Sequence, residues 1–314
     1  MKLTVTSSPH IRGDFRSSRL MLDVVIALIP ALLVGTFVLG IRALAVTAVS
    51  LAAAVAAEGG YILLAKKRNT LPDCSAYVTG LLFALTLPAT TPYWVVAVGS
   101  AFAILVGKLL WGGLGQNIFN PALTARAFVM LLWPAAVTRY EGLDGVTAAT
   151  PLHHMVMPAL PEESLLDMFL GNCPGSIGEL SALALLAGGV YLLWRKVISI
   201  RIPASYIGTV AVLTLIFHKT DNAALWMLYS LFSGGLMLGA IFMATDYATS
   251  PVTPLGQVIY GIGCGILTVI FRYFGLFPEG VTYAILLMNG CVWFIDRHTP
   301  PRRFGTRKGG GNRG

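Results

Sequence analysis

Charged residues are scarce in this sequence. They make up 11% of the 314 residues, whereas hydrophobic residues make up 56% and the mean hydropathy is +0.74. A soluble domain usually carries about 25% charged residues. The shortage of charge therefore argues against a soluble globular protein and predicts an integral membrane protein.

Cysteine pairs and nucleotide-binding loops are also missing. The four cysteines form no CxxC pair: Cys74, Cys173, Cys264 and Cys291. We expect no metal site built by this chain alone, because no spacing fits a set of metal ligands. The adjacent His153 and His154 would point about 100° apart on a helix, so they could share a metal only with ligands from elsewhere. No GxxxxGK[ST] or GxGxxG sequence follows a strand, which sets aside P-loop and Rossmann sites.

Long apolar runs dominate the sequence instead. A helix needs about 20 apolar residues to cross roughly 30 Å of hydrocarbon. The runs predict ten transmembrane helices, five on each side of one polar segment, at 21–40, 42–65, 77–91, 93–111, 117–137, 177–194, 202–218, 223–244, 255–274 and 280–296. The predicted fold is an all-α integral membrane protein. Its regions are an N-terminal arm (1–20), a first membrane half (21–137), an outer loop (138–176), a second membrane half (177–296) and a basic tail (297–314).

Lysine and arginine are distributed unequally between the loops. With the N-terminus inside, 17 of the 22 lie in the inner segments and one, Arg126, lies within a span. The outer segments hold only Arg42, Arg139, Lys219 and Arg272. This asymmetry follows the positive-inside rule and predicts cytoplasmic termini and an external 138–176 loop. The net charge of +8 therefore needs no nucleic-acid partner, and the basic tail suits anionic lipid head groups. The N-terminal arm is either a flexible terminus or a docking segment for cytoplasmic partners.

A short repeat links the two halves. The segment 80–92 aligns with 239–251, with identical Gly, Phe, Thr, Ala, Thr and Pro at matched positions. Each copy falls on the third helix of its half, so the two copies run in opposite senses through the membrane. The pattern predicts a 5+5 inverted-topology repeat with broken helices facing each other near the repeat interface. A further break is predicted before the fifth helix, where Asn120 and Pro121 form a helix-start signal.

Four charged residues fall within or beside predicted spans: Asp23, Glu58, Arg126 and Asp246. Charges at membrane depth are costly and are candidates for function, so the three carboxylates are predicted to line an ion path. For Asp23 and Glu58 the alternative is a place near a helix end, in contact with head groups or water. For Asp246 it is a cap on the broken helix or a contact with a partner. Arg126 could neutralise a carboxylate or a cofactor phosphate.

The loop between the halves carries the run Asp144-Gly145-Val146-Thr147-Ala148-Ala149-Thr150-Pro151. Asp-Gly marks a turn, and Pro151 favours an extended conformation at Thr150. Small side chains around Thr150 allow close approach of another backbone. By itself this pattern is also typical of an ordinary external loop.

The run at 144–150 resembles the flavinylation motif D-G-x-[ST]-[GSA]-A-T, which a periplasmic flavin transferase recognises. The match assigns Thr150 as the acceptor of FMN through a phosphoester bond. Asp144, Gly145, Thr147 and Ala149 match the flanking positions, whereas Ala148 stands where Gly or Ser is frequent. Thr147 is the competing hydroxyl.

Other segments extend the resemblance over nearly the whole chain. They are SSPHIR at 7–12, GQNIFNPA at 115–122 and DYATSP at 246–251. Together with the motif loop they resemble the RnfD family, which supplies a membrane subunit of the Rnf electron-transport complex. A related family is NqrB, from the sodium-translocating NADH:quinone reductase.

The resemblance implies a redox subunit of an ion-translocating ferredoxin:NAD oxidoreductase in the bacterial inner membrane, not catalytic alone. It implies one covalent FMN on the outer face and electron relay coupled to Na⁺ or H⁺ transport. By analogy with the sodium-pumping relative, riboflavin or another non-covalent flavin is expected as a second cofactor. The implied partners are RnfA, RnfB, RnfC, RnfE and RnfG, and the flavin transferase during maturation. The rival hypothesis is a stand-alone secondary transporter or channel, since an inverted repeat alone suggests that equally.

Overall fold

The computed structural model describes residues 17–66, 70–140, 161, 163–275 and 280–300. Within these ranges every regular element is a helix. Large apolar side chains remain exposed on the outside of the bundle, among them Phe37 at 91% and Leu64 at 88%. Such exposure fits contact with lipid rather than water. The described residues therefore form an all-α, multi-pass membrane protein.

The helices before the loop at 141–160 begin with two long ones and continue with shorter ones. Their bounds are α1 Ser17–Leu39, α2 Ile41–Ala65, α3 Ser75–Leu85, α4 Tyr93–Phe102, α5 Pro121–Leu132 and α6 Pro134–Val137. α4 continues as a π-helix over Ala103–Lys108 and a 3₁₀ turn over Leu109–Trp111, and a further 3₁₀ turn covers Leu71–Asp73.

The helices after that loop again include discontinuous ones. Their bounds are α7 Leu165–Leu170, α8 Ala182–Trp194, α9 Arg201–Ile216, α10 Ala223–Phe232, α11 Leu236–Leu238, α12 Pro254–Phe274 and α13 Gly280–His298. α11 continues as a π-helix over Gly239–Met243.

Side-chain caps determine where several helices begin. Asn120 accepts hydrogen bonds from Ala122 N and Leu123 N, and Pro121 occupies the first helical position. Asn222 and Thr253 cap α10 and α12 in the same manner. A capping side chain satisfies backbone N–H groups that have no partner within the helix. The predicted break before the fifth helix is thus confirmed, with the helix beginning at 121 rather than 117.

In the described ranges, four helices are long and apolar enough to cross a membrane: α1, α2, the continuous Tyr93–Trp111 and α12. α10 and the segment Leu236–Met243 are bent by 63° relative to each other, and together they would make a fifth, broken span. Four shorter apolar helices, α3, α5, α8 and α9, contribute 10–17 residues each. The count of ten spans and the region boundaries stay predictions.

The two repeat segments break their helices within one residue of matched positions. α3 ends at Leu85 rather than at 91, and the Thr86 hydroxyl donates to Phe83 O at 2.7 Å. In the second copy the π-helix ends at Met243, and the Thr245 hydroxyl donates to Ile241 O at 2.6 Å. These hydroxyls compete for carbonyls at the helix end, and the prolines that follow lack an N–H.

Close contacts hold the bundle together. α1 packs against α8, and α9 packs against α12. A Cβ on Gly188 would lie 2.2 Å from Ala27 O, so only glycine permits this approach of α8 to α1. The segment before α8 inserts next to the broken end of α3, where Ile177 N and Gly178 N donate to Leu87 O and Leu85 O at 3.0 and 2.8 Å. The core therefore joins residues from both sides of the central loop.

Candidate functional site

The predicted flavin-acceptor loop lies outside the described residues. This applies to the motif residues Asp144, Gly145, Thr147, Ala149 and Thr150, and to His153 and His154. The structure does describe the chain on either side of 141–160, and both of these flanking segments contact the bundle.

Hydrogen bonds hold both sides of that loop on the bundle. Arg42 Nη2 donates to Thr90 O at 2.9 Å, and the Thr90 hydroxyl donates to Arg139 O. Beyond the loop, the Tyr229 hydroxyl donates to Glu163 O at 3.0 Å. Arg42 and Arg139, both predicted to lie outside, therefore meet at Thr90 at one end of the bundle.

A small apolar cluster supports the chain after the loop. It contains Met168, Cys173, Trp226 and Tyr229, all buried. Burial raises the pKa of the Cys173 thiol to about 12, and carboxylates including Glu163 contribute to that rise. Cys173 is thus a protonated, buried thiol at neutral pH and acts as a packing residue.

A cavity of about 70 Å³ lies between the broken segments, near the beginning of α1 and the end of α8. Leu82 and Thr79 of α3 line it from one side, and Phe242, Thr245 and Asp246 line it from the other. Residues of both repeat segments therefore line one cavity. We call this space the inner cavity.

Asp246 lies on the wall of the inner cavity and is partly buried. Its carboxylate accepts from Ala248 N at 3.4 Å and from the Thr249 hydroxyl at 3.1 Å. Both partners belong to the turn that follows the broken helix, so Asp246 does cap this turn. The cap leaves the carboxylate on the cavity wall, where it can also meet a ligand.

Glu58 is fully buried and forms an ion pair with Lys108. Lys108 Nζ lies 2.9 Å from both Glu58 carboxylate oxygens and donates to Ser75 Oγ. The Thr70 hydroxyl donates to Glu58 Oε1 at 2.5 Å. The alternative of a Glu58 side chain in contact with head groups or water is wrong, because the π-helical end of α4 brings Lys108 against α2.

Asp23 is also buried and has two partners. The Tyr191 hydroxyl donates to Asp23 Oδ1 at 2.9 Å, and Arg195 Nη2 donates to Asp23 Oδ2 at 3.3 Å. Both partners come from α8 and its end, so the carboxylate joins α1 to α8. The alternative of contact with head groups is wrong for Asp23 as well, at 6% exposure.

A second, smaller cavity of about 20 Å³ lies on the other side of the broken segments. We call it the outer cavity. Arg126 and Glu179 line it, together with Thr86, Met243 and the Gly234–Gly235 turn. Arg126 is 2% exposed and donates to Thr86 O, at the break after α3.

Arg272 donates to backbone carbonyls at the bend after α10, as Arg126 does at the break after α3. It donates to Ser230 O, Ser233 O and Gly234 O at 2.6, 2.8 and 2.9 Å. These carbonyls lose their helical partners at the bend between α10 and α11. A charged donor compensates buried carbonyls that water cannot reach. The sequence identified Arg272 only as an outer-loop charge.

Two asparagines connect the halves between the cavities. Asn120 Nδ2 donates to Met243 O at 3.2 Å. The Asn289 amide satisfies its neighbours when its oxygen accepts a hydrogen bond from Asn120 N at 3.1 Å. Its nitrogen then donates to Thr249 O at 3.1 Å and to Tyr260 Oη at 2.6 Å. Asn120 was visible in the sequence as a cap. Asn289 was missed, because a single asparagine in an apolar helix carries no motif.

Metal ligands do not cluster in the part of the chain that the structure describes: no three His, Cys, Asp or Glu residues there could hold one ion. The polar groups between the broken segments are instead carboxylates, hydroxyls, amides and paired cations. The fold and this site define a multi-pass helical membrane protein with discontinuous helices that meet at a buried polar interface.

Comparison with known proteins gives the family. The sequence model of the NQR2, RnfD, RnfE family matches residues 4–305, and the chain belongs to this family. It is 47% identical over 316 residues to the D subunit of the Na(+)-translocating ferredoxin:NAD(+) oxidoreductase complex of Acetobacterium woodii, covering 98% of this chain and 97% of that protein. It is 43% identical to the D subunit of the proton-translocating ferredoxin:NAD(+) oxidoreductase complex of Clostridium ljungdahlii, covering 97% of each.

Proposed function

We propose that this protein is the D subunit, a membrane flavoprotein, of an ion-translocating ferredoxin:NAD oxidoreductase complex. It relays electrons within the complex and is not a complete enzyme by itself. The full-length likeness to subunits of that name, together with the acceptor motif ending at Thr150, carries the proposal. The partners are the other Rnf proteins: RnfA, RnfB, RnfC, RnfE and RnfG.

FMN is attached to Thr150 through a phosphoester bond by a flavin transferase. When bound, this group accepts and donates electrons one or two at a time. The residues present fit such a group: a threonine hydroxyl supplies the acceptor oxygen, and the flanking chain is fixed at Arg139 and Glu163. The contribution of the described part of the protein is to fix the chain on either side of the acceptor motif, at Arg139 and at Glu163.

The membrane arrangement has ten spans in two inverted halves, with both termini cytoplasmic and the flavin loop outside, in the bacterial inner membrane. Two observations support it. The matched Thr86 and Thr245 hydroxyls each donate to a carbonyl of the preceding helical turn, beside a break. Arg42 and Arg139, both predicted to be external, are bonded to the same residue, Thr90.

The ion route passes between the broken segments. The inner and outer cavities lie on either side of the contact between Asn120 and Met243, and both are lined partly by polar groups. Asp246 is the strongest of the three carboxylate candidates, because its described partners are uncharged and it lines the inner cavity. Glu58 and Asp23 are both paired with a cation.

The coupling ion is Na⁺ or H⁺, since the two relatives named above differ in this respect. A second, non-covalent flavin such as riboflavin belongs to the proposal by analogy with the sodium-pumping relatives.

The test is electron transfer through the assembled complex. We expect Thr150→Ala to abolish ferredoxin-dependent NAD reduction, whereas Thr147→Ser, which keeps both the flanking motif and the acceptor, retains most of it. Both substitutions fall in the same loop, but only Thr150→Ala removes the acceptor hydroxyl. Full activity in the Thr150→Ala complex would reject the redox role and favour a stand-alone transporter or channel.

A further inference from the structure

Lys108 is a buried cation whose charge is surrounded by oxygen atoms. Its Nζ lies 2.9 Å from Glu58 Oε1 and 2.9 Å from Glu58 Oε2, and Ser75 Oγ accepts its third bond. The side chains of Lys108 and Glu58 are 3% and 0% exposed. A well-packed apolar pair is often as stable as a buried ion pair, so stability alone does not account for this arrangement.

The surrounding hydroxyls are oriented toward the cation. The Ser75 hydroxyl donates to Asp73 Oδ1 at 2.5 Å, which turns its lone pairs toward Lys108. The Thr70 hydroxyl donates to Glu58 Oε1 and holds that carboxylate in place. Three oxygen atoms therefore converge on one point that carries a single positive charge.

The ion pair adjoins the inner cavity. Lys108 and Ser75 line this cavity, and so do Asp246 and Asn117. Asn117 is 6% exposed, and its Oδ1 has no hydrogen-bond partner in the part of the chain that the structure describes. A buried amide oxygen without a donor is costly, and a hard cation prefers such oxygen ligands.

We propose that the Lys108 ammonium is a tethered cation that occupies an oxygen-lined site for an alkali-metal ion, formed by Glu58 and Ser75 beside the inner cavity. A cation that reaches this site from the cavity, past Asn117, must displace the lysine. Lys108 is therefore a built-in competitor for the ion at the cytoplasmic mouth. The role of this competition in ion transport rests on the proposed function, whereas the existence of the site does not.

The proposal is tested by cation-dependent thermal stability of the purified full-length chain in detergent. Lys108→Ala and Lys108→Gln leave the Glu58 carboxylate without its cation. Each variant is melted in NaCl, in KCl and in choline chloride at equal ionic strength. We expect a Tm that rises by at least about 3 °C in Na⁺ or K⁺ relative to choline, saturating with concentration, as binding to the folded state requires.

Two controls isolate the site. The wild-type chain has its lysine in the site, so its Tm should rise less in alkali-metal salts than the Tm of either variant. Any ion bound at Asp246 raises the Tm of all three proteins, and subtracting the wild-type rise removes that contribution. The double variant Glu58→Gln/Lys108→Ala removes the carboxylate and should lose the additional response.

Equal Tm values in alkali-metal and choline salts for both single variants would overturn the proposal. Failure of both single variants to fold in NaCl and in KCl would overturn it too, because neither ion could then replace the ammonium. The assay involves no flavin and no electron transfer, so its failure leaves the redox role of Thr150 untouched. Loss of that role would equally leave a positive result here intact.

Discussion

Asp246 illustrates how one side chain can combine a structural and a functional role. It caps the turn after the broken helix through Ala248 N and Thr249, yet it also lines the inner cavity. Asparagine keeps an oxygen acceptor for the cap and removes only the negative charge. The charge and the cap can therefore be separated by one substitution.

We expect Asp246→Asn to lower ion translocation at least tenfold while the protein still folds and carries its flavin. The measurement is uptake of Na⁺ or H⁺ by vesicles that contain the complex, during ferredoxin-driven NAD reduction. Normal ion transport in Asp246→Asn would remove Asp246 from the ion route.

Asn120 both caps α5 and bonds across to Met243, whereas Asn222 only caps α10. Loss of a cap costs about 1 kcal/mol, and a buried hydrogen bond contributes about 1 kcal/mol more. We expect Asn120→Ala to reduce the free energy of unfolding by about 2 kcal/mol and Asn222→Ala by about half of that. Denaturant unfolding in detergent measures both. Equal losses would show that the bond to Met243 contributes nothing.

At the scale of helices, the close approach of α1 and α8 depends on Gly188. An alanine Cβ there would lie 2.2 Å from Ala27 O, a backbone atom that cannot turn aside. Overpacking of this kind costs about 1–3 kcal/mol. Gly208, in α9, is the matched control, because a Cβ there meets nothing within 4 Å.

We expect Gly188→Ala to lower the Tm of the purified chain by several degrees. Gly208→Ala should raise it slightly, because alanine is a better helix former than glycine by about 1 kcal/mol. Thermal melting of the two variants side by side decides the question. A Gly188→Ala variant as stable as the wild type would mean that α1 and α8 lie further apart than described.

The breaks in the helices could be predicted from sequence, but their partners could not. Threonine and proline in 80–92 and 239–251 indicate where helix geometry fails, and Asn120 with Pro121 indicates a start. The carbonyls freed by a break bind a residue distant in the chain, such as Arg272 for Ser230. Nothing in the local pattern specifies that pairing, because it depends on tertiary packing.

At the scale of the whole molecule, composition alone predicted a helical membrane protein. Hydrophobic length was less informative about the short helices, since α3 and α5 hold only 11 and 12 residues. α3 ends before Thr86 and the Pro88 that follows, and α5 begins only at the Asn120 cap. The positive-inside rule counts Lys108 among the cytoplasmic charges, but a charge count could not predict that Lys108 is buried in an ion pair with Glu58.

The whole account depends on the flavin at Thr150, and the most direct measurement is flavin fluorescence of the chain on a denaturing gel. The wild type, Thr150→Ala and Thr147→Ser are produced together with an active flavin transferase, which is verified on a separate substrate. We predict fluorescent bands for the wild type and Thr147→Ser and none for Thr150→Ala, because only a covalent flavin survives denaturation. A dark wild-type band would contradict the account, and a bright Thr150→Ala band would move the attachment to another residue.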